Sequence, residues 1–498
     1  MTTCRFTNCS ETEVEAIARD FAQVAIEGDI ITLVGNLGSG KTLFCRAFIR
    51  QLLGVKDLEV PSPTYLISIE HKTDGKPSVN HIDLFRISDA SELDELGLDE
   101  IVENSIVMIE WPDKAIQTLP SIRLNIEIEI VDEATRNLTI NAPDELANRY
   151  CRSVQIGKFL RNHTNNTYTR KPFAADASAR NYELINIGDK PSILMDAPAA
   201  PDGPPVKNGL PYSRIAHLAE EVESFVAISK LLRSRDFYAP EIYAQDYENG
   251  LVLLEYLGAD TIITPDRLPI DKRYIESGRL LAKIHTTDWL TSDQNPSDSL
   301  GNIPPFDQPA MLIEVELLTD WYLNDGQHTA TQDDIEEYEQ IWLQYSTMAQ
   351  NFRQSIVLRD FHSPNIIWQG NKTGSARIGL IDFQDALIGP AVYDLVSLAQ
   401  DARIIVPSLL ENQIIKNYLG DFEAEGQKID KQQFELEYAM MGAQRASKLL
   451  GIFIRLHNRD GKSGYRKLIP AIRTYLKKNL QHPVLSDYRN WCERVIKL

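Results

Sequence analysis

Apolar residues recur at helical intervals from Val14 through Ile17, Ala18, Phe21 and Val24, and Ser10 with Glu13 has the spacing of a capping box, so an amphipathic helix is expected to open the chain. The period then changes. Residues 29–34 form a short β-branched run that stops at Gly35, and residues 41–53 return to helical spacing before Gly54, which predicts a strand, a glycine loop and a helix. Strand-like runs follow at 65–70, 78–82 and 105–109. The alternation of Ile122, Leu124, Ile126, Ile128 and Ile130 predicts a half-buried edge strand paired with residues 137–140. Together these elements describe a compact α/β domain.

The pattern weakens over 141–151, which sets the expected boundary between a first domain of residues 1–147 and a second of residues 150–498. In the second, 173–187 and 191–195 read as strands, 196–211 as a loop rich in Pro and Gly, 212–235 as a helix and 251–257 as a buried strand. From Tyr274 onward most segments have helical spacing, interrupted at 355–382 by an apolar block with polar residues at its strand ends. A small mixed lobe (about 150–257) followed by a helical lobe (about 258–498) is expected, an α+β arrangement.

Composition narrows the classes. With 498 residues, 43% hydrophobic and 24% charged, the chain has the balance of several globular domains, which excludes wholesale disorder and fibrous repeats. Lys+Arg 51 against Asp+Glu 71 leaves a net charge of −20, so an extended nucleic-acid footprint, which needs a basic surface, is not expected. The five cysteines are scattered without a C-x-x-C pair and are read as reduced thiols, with no zinc site. The first residues lack the basic and apolar blocks of a signal peptide, and no apolar run is long enough to cross a bilayer, so a soluble, cytoplasmic protein without membrane contact is expected.

Gly35-Asn36-Leu37-Gly38-Ser39-Gly40-Lys41-Thr42 fits G-x-x-x-x-G-K-[ST] between the predicted strand and helix. In such a loop, glycines let successive N–H groups converge on phosphates and the helix N-terminus adds a favourable dipole. Lys41 would neutralise terminal phosphate oxygens, and the Thr42 hydroxyl would ligate magnesium. A magnesium-nucleotide site also needs a carboxylate at the end of a neighbouring strand, and Glu110 and Asp83 are the candidates. Pro61-Ser62-Pro63-Thr64, His81-Ile82-Asp83-Leu84-Phe85-Arg86, Glu95-Leu96-Gly97 and Ile109-Glu110-Trp111-Pro112 follow in order. With the loop, they make residues 1–147 resemble the TsaE family of tRNA threonylcarbamoyladenosine biosynthesis ATPases. The resemblance implies that Lys41 and Thr42 bind ATP and magnesium, that Glu110 is a metal ligand, and that Asp83 and Thr64 serve turnover. It also implies work in company with subunits of a threonylcarbamoyl-transferase complex. The acidic net charge fits tRNA being met only through those partners. Arg136 reads as a surface arginine in a turn, and Trp111 as a packing residue.

Further on, Asp360, His362 and Asn365 form D-x-H-x-x-N, and Ile381-Asp382-Phe383 ends a later strand, the spacing of a protein-kinase-like catalytic loop. That chemistry needs one carboxylate to take the proton of the attacking hydroxyl, here Asp360, and an amide and a second carboxylate to hold magnesium, here Asn365 and Asp382. Residues 150–498 thereby resemble the aminoglycoside phosphotransferase and choline kinase superfamily. Segments 176–182, 194–198 and 358–362 look like those of the anomeric kinases of N-acetylmuramate and N-acetylglucosamine in cell-wall recycling. The resemblance implies a phosphate-covering hairpin containing Ser178 and Arg180, and a hinge at Glu255-Tyr256-Leu257 that meets adenine through backbone groups. The third-strand lysine of protein kinases is missing from 192–195, and Arg180 is the candidate replacement. Asp385, Asp394 and Arg403 are read as caps or ion pairs as readily as functional groups. The expectation is thus a P-loop NTPase domain followed by a two-lobed kinase-like domain, using ATP and Mg2+ at two sites. Two alternatives stay open. Glu314, Glu316 and Asp320 suit a cationic acceptor such as an aminoglycoside or choline, and a nucleotide-dependent assembly module with a pseudokinase scaffold would be no phosphotransferase at all.

Overall fold

The computed structural model describes residues 2–87, 97–114, 117, 119–165, 168–173, 180–199, 202–289, 303–325 and 330–498. It divides into two compact units, Met1–Lys171 with Ile185–Lys190, and Pro172–Leu184 with Pro191–Leu498.

In the first unit, β1 (Thr2–Ser10), α1 (Glu11–Ala22), β2 (Ile30–Val34), α2 (Lys41–Leu53), β3 (Ser68–His71), β4 (Val79–Asp83), α3 (Leu98–Asn104), β5 (Ile106–Glu110), β6 (Leu124–Ile130), β7 (Thr135–Ala142) and α4 (Asp144–His163) follow one another. Their seven strands form one sheet in the order β1-β7-β6-β2-β5-β4-β3. Its centre is parallel, β4 with β5, β5 with β2 and β2 with β6, which explains why β2 and β5 read as unbroken apolar runs: both faces are covered. Ser10 caps α1 as its spacing predicts, with Ser10 N donating to the Glu13 carboxylate at 2.8 Å and Glu13 N donating to Ser10 Oγ. The apolar stripe of α1 meets α2, where the Phe21 and Phe44 rings pack edge to face.

Three expectations change here. β1 precedes α1 and pairs antiparallel with β7, so the edge on this side is β1, and β6, expected at the edge, lies between β2 and β7. Alternation reports which face is covered and says nothing about hydrogen-bonded neighbours, so it does not separate an edge strand from an interior one. The expected boundary at 147 falls inside α4, which belongs to the first unit. There the Tyr150 hydroxyl donates to Asp29 at 2.7 Å, Arg149 pairs with Asp29, and Ser153 Oγ donates to the Asp20 carbonyl at 2.6 Å. Cys4 and Cys151, expected as thiols, form a disulfide: β1 and α4 bring together residues 147 positions apart. Cys9, Cys45 and Cys492 are free and buried.

A second sheet has the order β13-β14-β10-β9-β8. Its members are β8 (Thr169–Phe173), β9 (Asn181–Ile187), β10 (Lys190–Asp196), β13 (Ile242–Asp246) and β14 (Leu251–Glu255). Of the expected strand 173–187, Phe173 ends β8 and 181–187 form β9, while 174–179 lie outside the described residues. The expected loop 196–211 contains a small hairpin, β11 (Pro205–Lys207) with β12 (Leu210–Pro211), and the expected helix 212–235 is split into α5 (Tyr212–Ile215) and α6 (Val222–Ser234). The helical lobe follows with α7 (Asp271–Thr286), α8 (Gln308–Leu317) and α9 (Gln332–Ala349), then two short antiparallel strand pairs, β15 (Gln354–Val357) with β18 (Leu387–Pro390) and, between them in sequence, β16 (Ile366–Trp368) with β17 (Ile378–Leu380). After them come α10 (Val392–Ala399), α11 (Ser408–Ala424), α12 (Lys431–Asn458), α13 (Ile469–Asn479) and α14 (Ser486–Val495). Among the described residues no helix is long and apolar enough to cross a membrane.

Two candidate phosphate-handling sites

The loop between β2 and α2 turns on Gly38 (φ 76°) and Gly40 (φ 105°), left-handed conformations that residues with a Cβ adopt at a cost. Lys41 bends back over it, Nζ donating to the Gly35 and Asn36 carbonyls at 2.8 and 3.0 Å and lying 3.8 Å from the centroid of the Trp111 ring. Trp111 is therefore a wall of the site, not remote packing. Burial pulls the Lys41 pKa below its ordinary value, against the opposing pull of the Glu110 and Asp83 carboxylates. Leu37 stands exposed at the tip and Ser39 is buried below it, its carbonyl accepting from Arg136 Nε at 3.3 Å. Arg136, read as a surface arginine, thus braces the loop.

The parallel register of β4 and β5 sets Asp83 beside Glu110 at the strand ends. Thr42 Oγ1 donates to the Glu110 oxygens at 2.9 and 3.1 Å, and His81 Nε2 faces Glu110 Oε1 at 2.9 Å. Asp83 accepts from Ser62 Oγ (3.0 Å), Thr64 Oγ1 (2.6 Å) and the Phe85 N–H (2.9 Å), so in this state Thr64 acts on Asp83. Thr42 and Glu110 make a hard-oxygen donor set that fits magnesium. His81 had no role assigned, yet period-two alternation on β4 puts it on the same face as Asp83, the signal that could have found it.

In the second unit Asp360 follows β15, Asn365 sits in a one-turn 3-10 helix and Asp382 follows β17. Asn365 Nδ2 donates to the Asp360 carbonyl at 3.0 Å and to Asp382 Oδ2 at 3.1 Å, and Gln384 Nε2 donates to Asp382 Oδ1 at 3.0 Å. The three motif residues are thus brought together, and the Asn365 and Asp382 oxygens again fit a hard cation. Arg359 and Asp382 have φ of 69° and 60°, strained values for residues with a Cβ. Asp394, read as a cap or an ion pair as readily as a functional group, is what holds the loop: its carboxylate accepts from the Leu358 and Arg359 N–H groups at 2.6 and 2.9 Å. Burial raises its pKa to about 7. Arg403 Nη1 donates to His362 Nε2 at 2.7 Å, and burial and Arg403 keep that imidazole below its ordinary pKa. Burial opposes the charge of Asp360, but His362, Lys448 and Arg359 outweigh it and hold the carboxyl well below the usual carboxylate range.

Glu314 bears on the open question of a cationic acceptor. It is fully buried, paired with Arg359 and with Lys448 (2.6 Å) and hydrogen-bonded by Gln444 (2.9 Å). Burial alone would raise its pKa, and the two cations pull it down to about 2. Its charge is spent inside the lobe. Glu316 is paired with Lys207. Of the nucleotide contacts expected, Ser178 lies outside the described residues, as do Glu95 and Leu96. Arg180 Nη2 donates to the Ala219 carbonyl at 3.1 Å, and Asp385 Oδ1 accepts from the Ala219 N–H at 2.7 Å, so both anchor the segment leading into α6. In the hinge, Glu255 accepts from the Tyr238 hydroxyl, and the Leu257 carbonyl accepts from Gln369 Nε2 at 2.6 Å, which leaves that carbonyl one lone pair.

Comparison with known proteins agrees with this division. Residues 8–138 match the family described as threonylcarbamoyl adenosine biosynthesis protein TsaE, and residues 169–426 match the phosphotransferase enzyme family. The tRNA threonylcarbamoyladenosine biosynthesis protein TsaE of Rickettsia typhi is 38% identical over 123 residues, 24% of this chain and 83% of that protein. An N-acetylmuramate/N-acetylglucosamine kinase of Caulobacter vibrioides is 30% identical over 341 residues, 66% of this chain and 92% of its own length. Another of that name from Pseudomonas putida is 30% identical over 332 residues, 63% of this chain and 84% of that protein. The chain therefore belongs to the TsaE family through its first unit and to the phosphotransferase enzyme family through its second, a P-loop ATPase and a small-molecule kinase in one polypeptide.

Proposed function

We propose that the chain is bifunctional: an ATPase subunit for threonylcarbamoylation of tRNA adenosine beside the anticodon, and a kinase that transfers the γ-phosphoryl group of ATP to the anomeric hydroxyl of N-acetylmuramate or N-acetylglucosamine. The reading of the second unit rests chiefly on the convergence of Asp360, Asn365 and Asp382 in one hydrogen-bonded cluster, together with the names of its relatives. A pseudokinase would have no reason to keep all three. The pairing of Glu314 with Arg359 and Lys448 supports an uncharged or anionic acceptor over a cationic one.

In the kinase, Asp360 accepts the proton of the anomeric hydroxyl as its oxygen attacks the γ-phosphorus, and the diphosphate leaves as ADP. Asp394 holds the backbone of the loop so that Asp360 keeps its place. Asn365 and Asp382 would hold magnesium, which would neutralise negative charge on the phosphate oxygens. In the ATPase, Lys41 leaves its loop carbonyls for phosphate oxygens, Thr42 and Glu110 would hold the metal, and Asp83, aligned by Ser62 and Thr64, orients the attacking water. Subunits of a threonylcarbamoyl-transferase complex are the partners proposed for this half, with tRNA reached through them.

The test is phosphate transfer by Lys41→Ala protein given ATP, magnesium and, separately, N-acetylmuramate, N-acetylglucosamine, an aminoglycoside and choline, with phosphorus NMR of the products. An anomeric sugar phosphate that disappears in Asp360→Asn is expected. No product from any acceptor would overturn the assignment.

A further inference from the structure

Beneath the phosphate loop three side chains from three elements converge. Cys45 on α2, His81 on β4 and Glu110 at the end of β5 offer a sulfur, an imidazole nitrogen and a carboxylate oxygen that all lie within 4.8 Å of one another, and all three residues are buried. His81 Nε2 and Glu110 Oε1, at 2.9 Å, are already near the ligand-to-ligand spacing of roughly 3.3 Å across a tetrahedral ion with bonds of about 2.0 Å. The other imidazole nitrogen, Nδ1, is buried with no hydrogen-bond partner, so the ring is held from the Glu110 side alone. Thr42, half-buried, donates to Glu110 from the loop side, which leaves the carboxylate one side chain from solvent.

We propose that Cys45, His81 and Glu110 form a site for a borderline-soft divalent cation of the zinc type, and that an ion held there takes Glu110 away from magnesium. Magnesium shares only the Glu110 carboxylate with this set, because it selects oxygen ligands, whereas thiolate with imidazole and carboxylate suits zinc or cobalt. Three protein ligands leave a fourth position for water or the Thr42 hydroxyl. Binding is balanced by protons: the Cys45 thiol gives up its proton to solvent as the metal–sulfur bond forms, and the ring proton that Nε2 donates to Glu110 is released from Nε2 and taken up on Nδ1 through solvent, so that Nε2 becomes the ligand of a neutral imidazole. Binding itself is independent of the proposed ATPase activity, while the inhibitory consequence rests on the role of Glu110 in that reading.

The test titrates the metal-free full chain, kept anaerobic so that Cys45 stays a thiol while the Cys4–Cys151 disulfide is intact, with Co2+ and follows thiolate-to-metal charge transfer in the near ultraviolet. One equivalent per chain is expected, displaced by Zn2+, with the band lost and affinity lowered about tenfold or more in Cys45→Ser. Cys9 and Cys492 remain as internal controls. X-ray absorption at the zinc edge of the wild-type chain gives a second readout that does not depend on how a variant folds. One sulfur among lighter ligands is expected. No band, a band retained in Cys45→Ser, or a sulfur-free shell would overturn the site. ATP hydrolysis in the Asp360→Asn background should then fall with Zn2+ in the Cys45 protein and not in Cys45→Ser, and zinc binding without that fall would overturn the inhibitory half alone.

Discussion

His285 shows how far a single buried group can set a response to pH. It sits within α7, fully buried, with Nδ1 against the Tyr418 hydroxyl at 2.9 Å. Burial, reinforced by Arg353, pulls its pKa from 6.5 to about 3. Below pH 6.5 the unfolded chain takes up a proton here and the folded one does not, so stability falls as pH drops through the window from 6.5 to about 3. At pH 5 the loss is about 2 kcal/mol relative to neutral pH. Urea unfolding of wild type and His285→Phe at pH 7.5 and pH 5, followed by tryptophan fluorescence, checks this. Five of the six tryptophans lie in the second unit, so the signal reports on it. Wild type should lose about 2 kcal/mol more than the variant between the two pH values, and equal losses would contradict it.

At the scale of elements, close approaches between backbones explain glycines that look unremarkable in a sequence. A Cβ on Gly451 of α12 would lie 2.1 Å from the Leu317 carbonyl oxygen and 2.2 Å from its carbon, at the end of α8. Gly451→Ala must therefore push the two helices apart, at about 1–3 kcal/mol, despite the better helix propensity of alanine. Gly420 of α11 meets nothing within 4 Å, so Gly420→Ala should stabilise by up to about 1 kcal/mol. Thermal melting of the two variants is expected to move in opposite directions, and a rise for both would refute the close contact. The same distinction runs through the site. The P-loop was legible because the loop and the helix after it are contiguous, and D-x-H-x-x-N because its members share one turn of chain. The anchoring of the Leu358–Arg359 backbone by Asp394 and the bracing of the P-loop by Arg136 were not legible. Each joins an element to a segment distant in sequence, and the same residue types occur on solvated surfaces without such a partner.

For the whole molecule, the −20 net charge makes a specific expectation. Bare tRNA should not shift this chain in a native gel at physiological ionic strength, because phosphate neutralisation needs a basic surface; retention of tRNA by the chain alone would show that charge is segregated to form one. Periodicity and contiguous motifs determined the two fold classes, the phosphate loop and the D-x-H-x-x-N segment, since these depend on interactions within a few residues or on a pattern repeated along one element. Tertiary structure alone decided that β6 is interior, that α4 completes the first unit, that Cys4 meets Cys151 and that Cys45, His81 and Glu110 share one pocket of buried space. Those outcomes turn on which distant elements lie side by side. Such neighbours are chosen by the burial and hydrogen bonding of the folded chain as a whole, which no local spacing encodes.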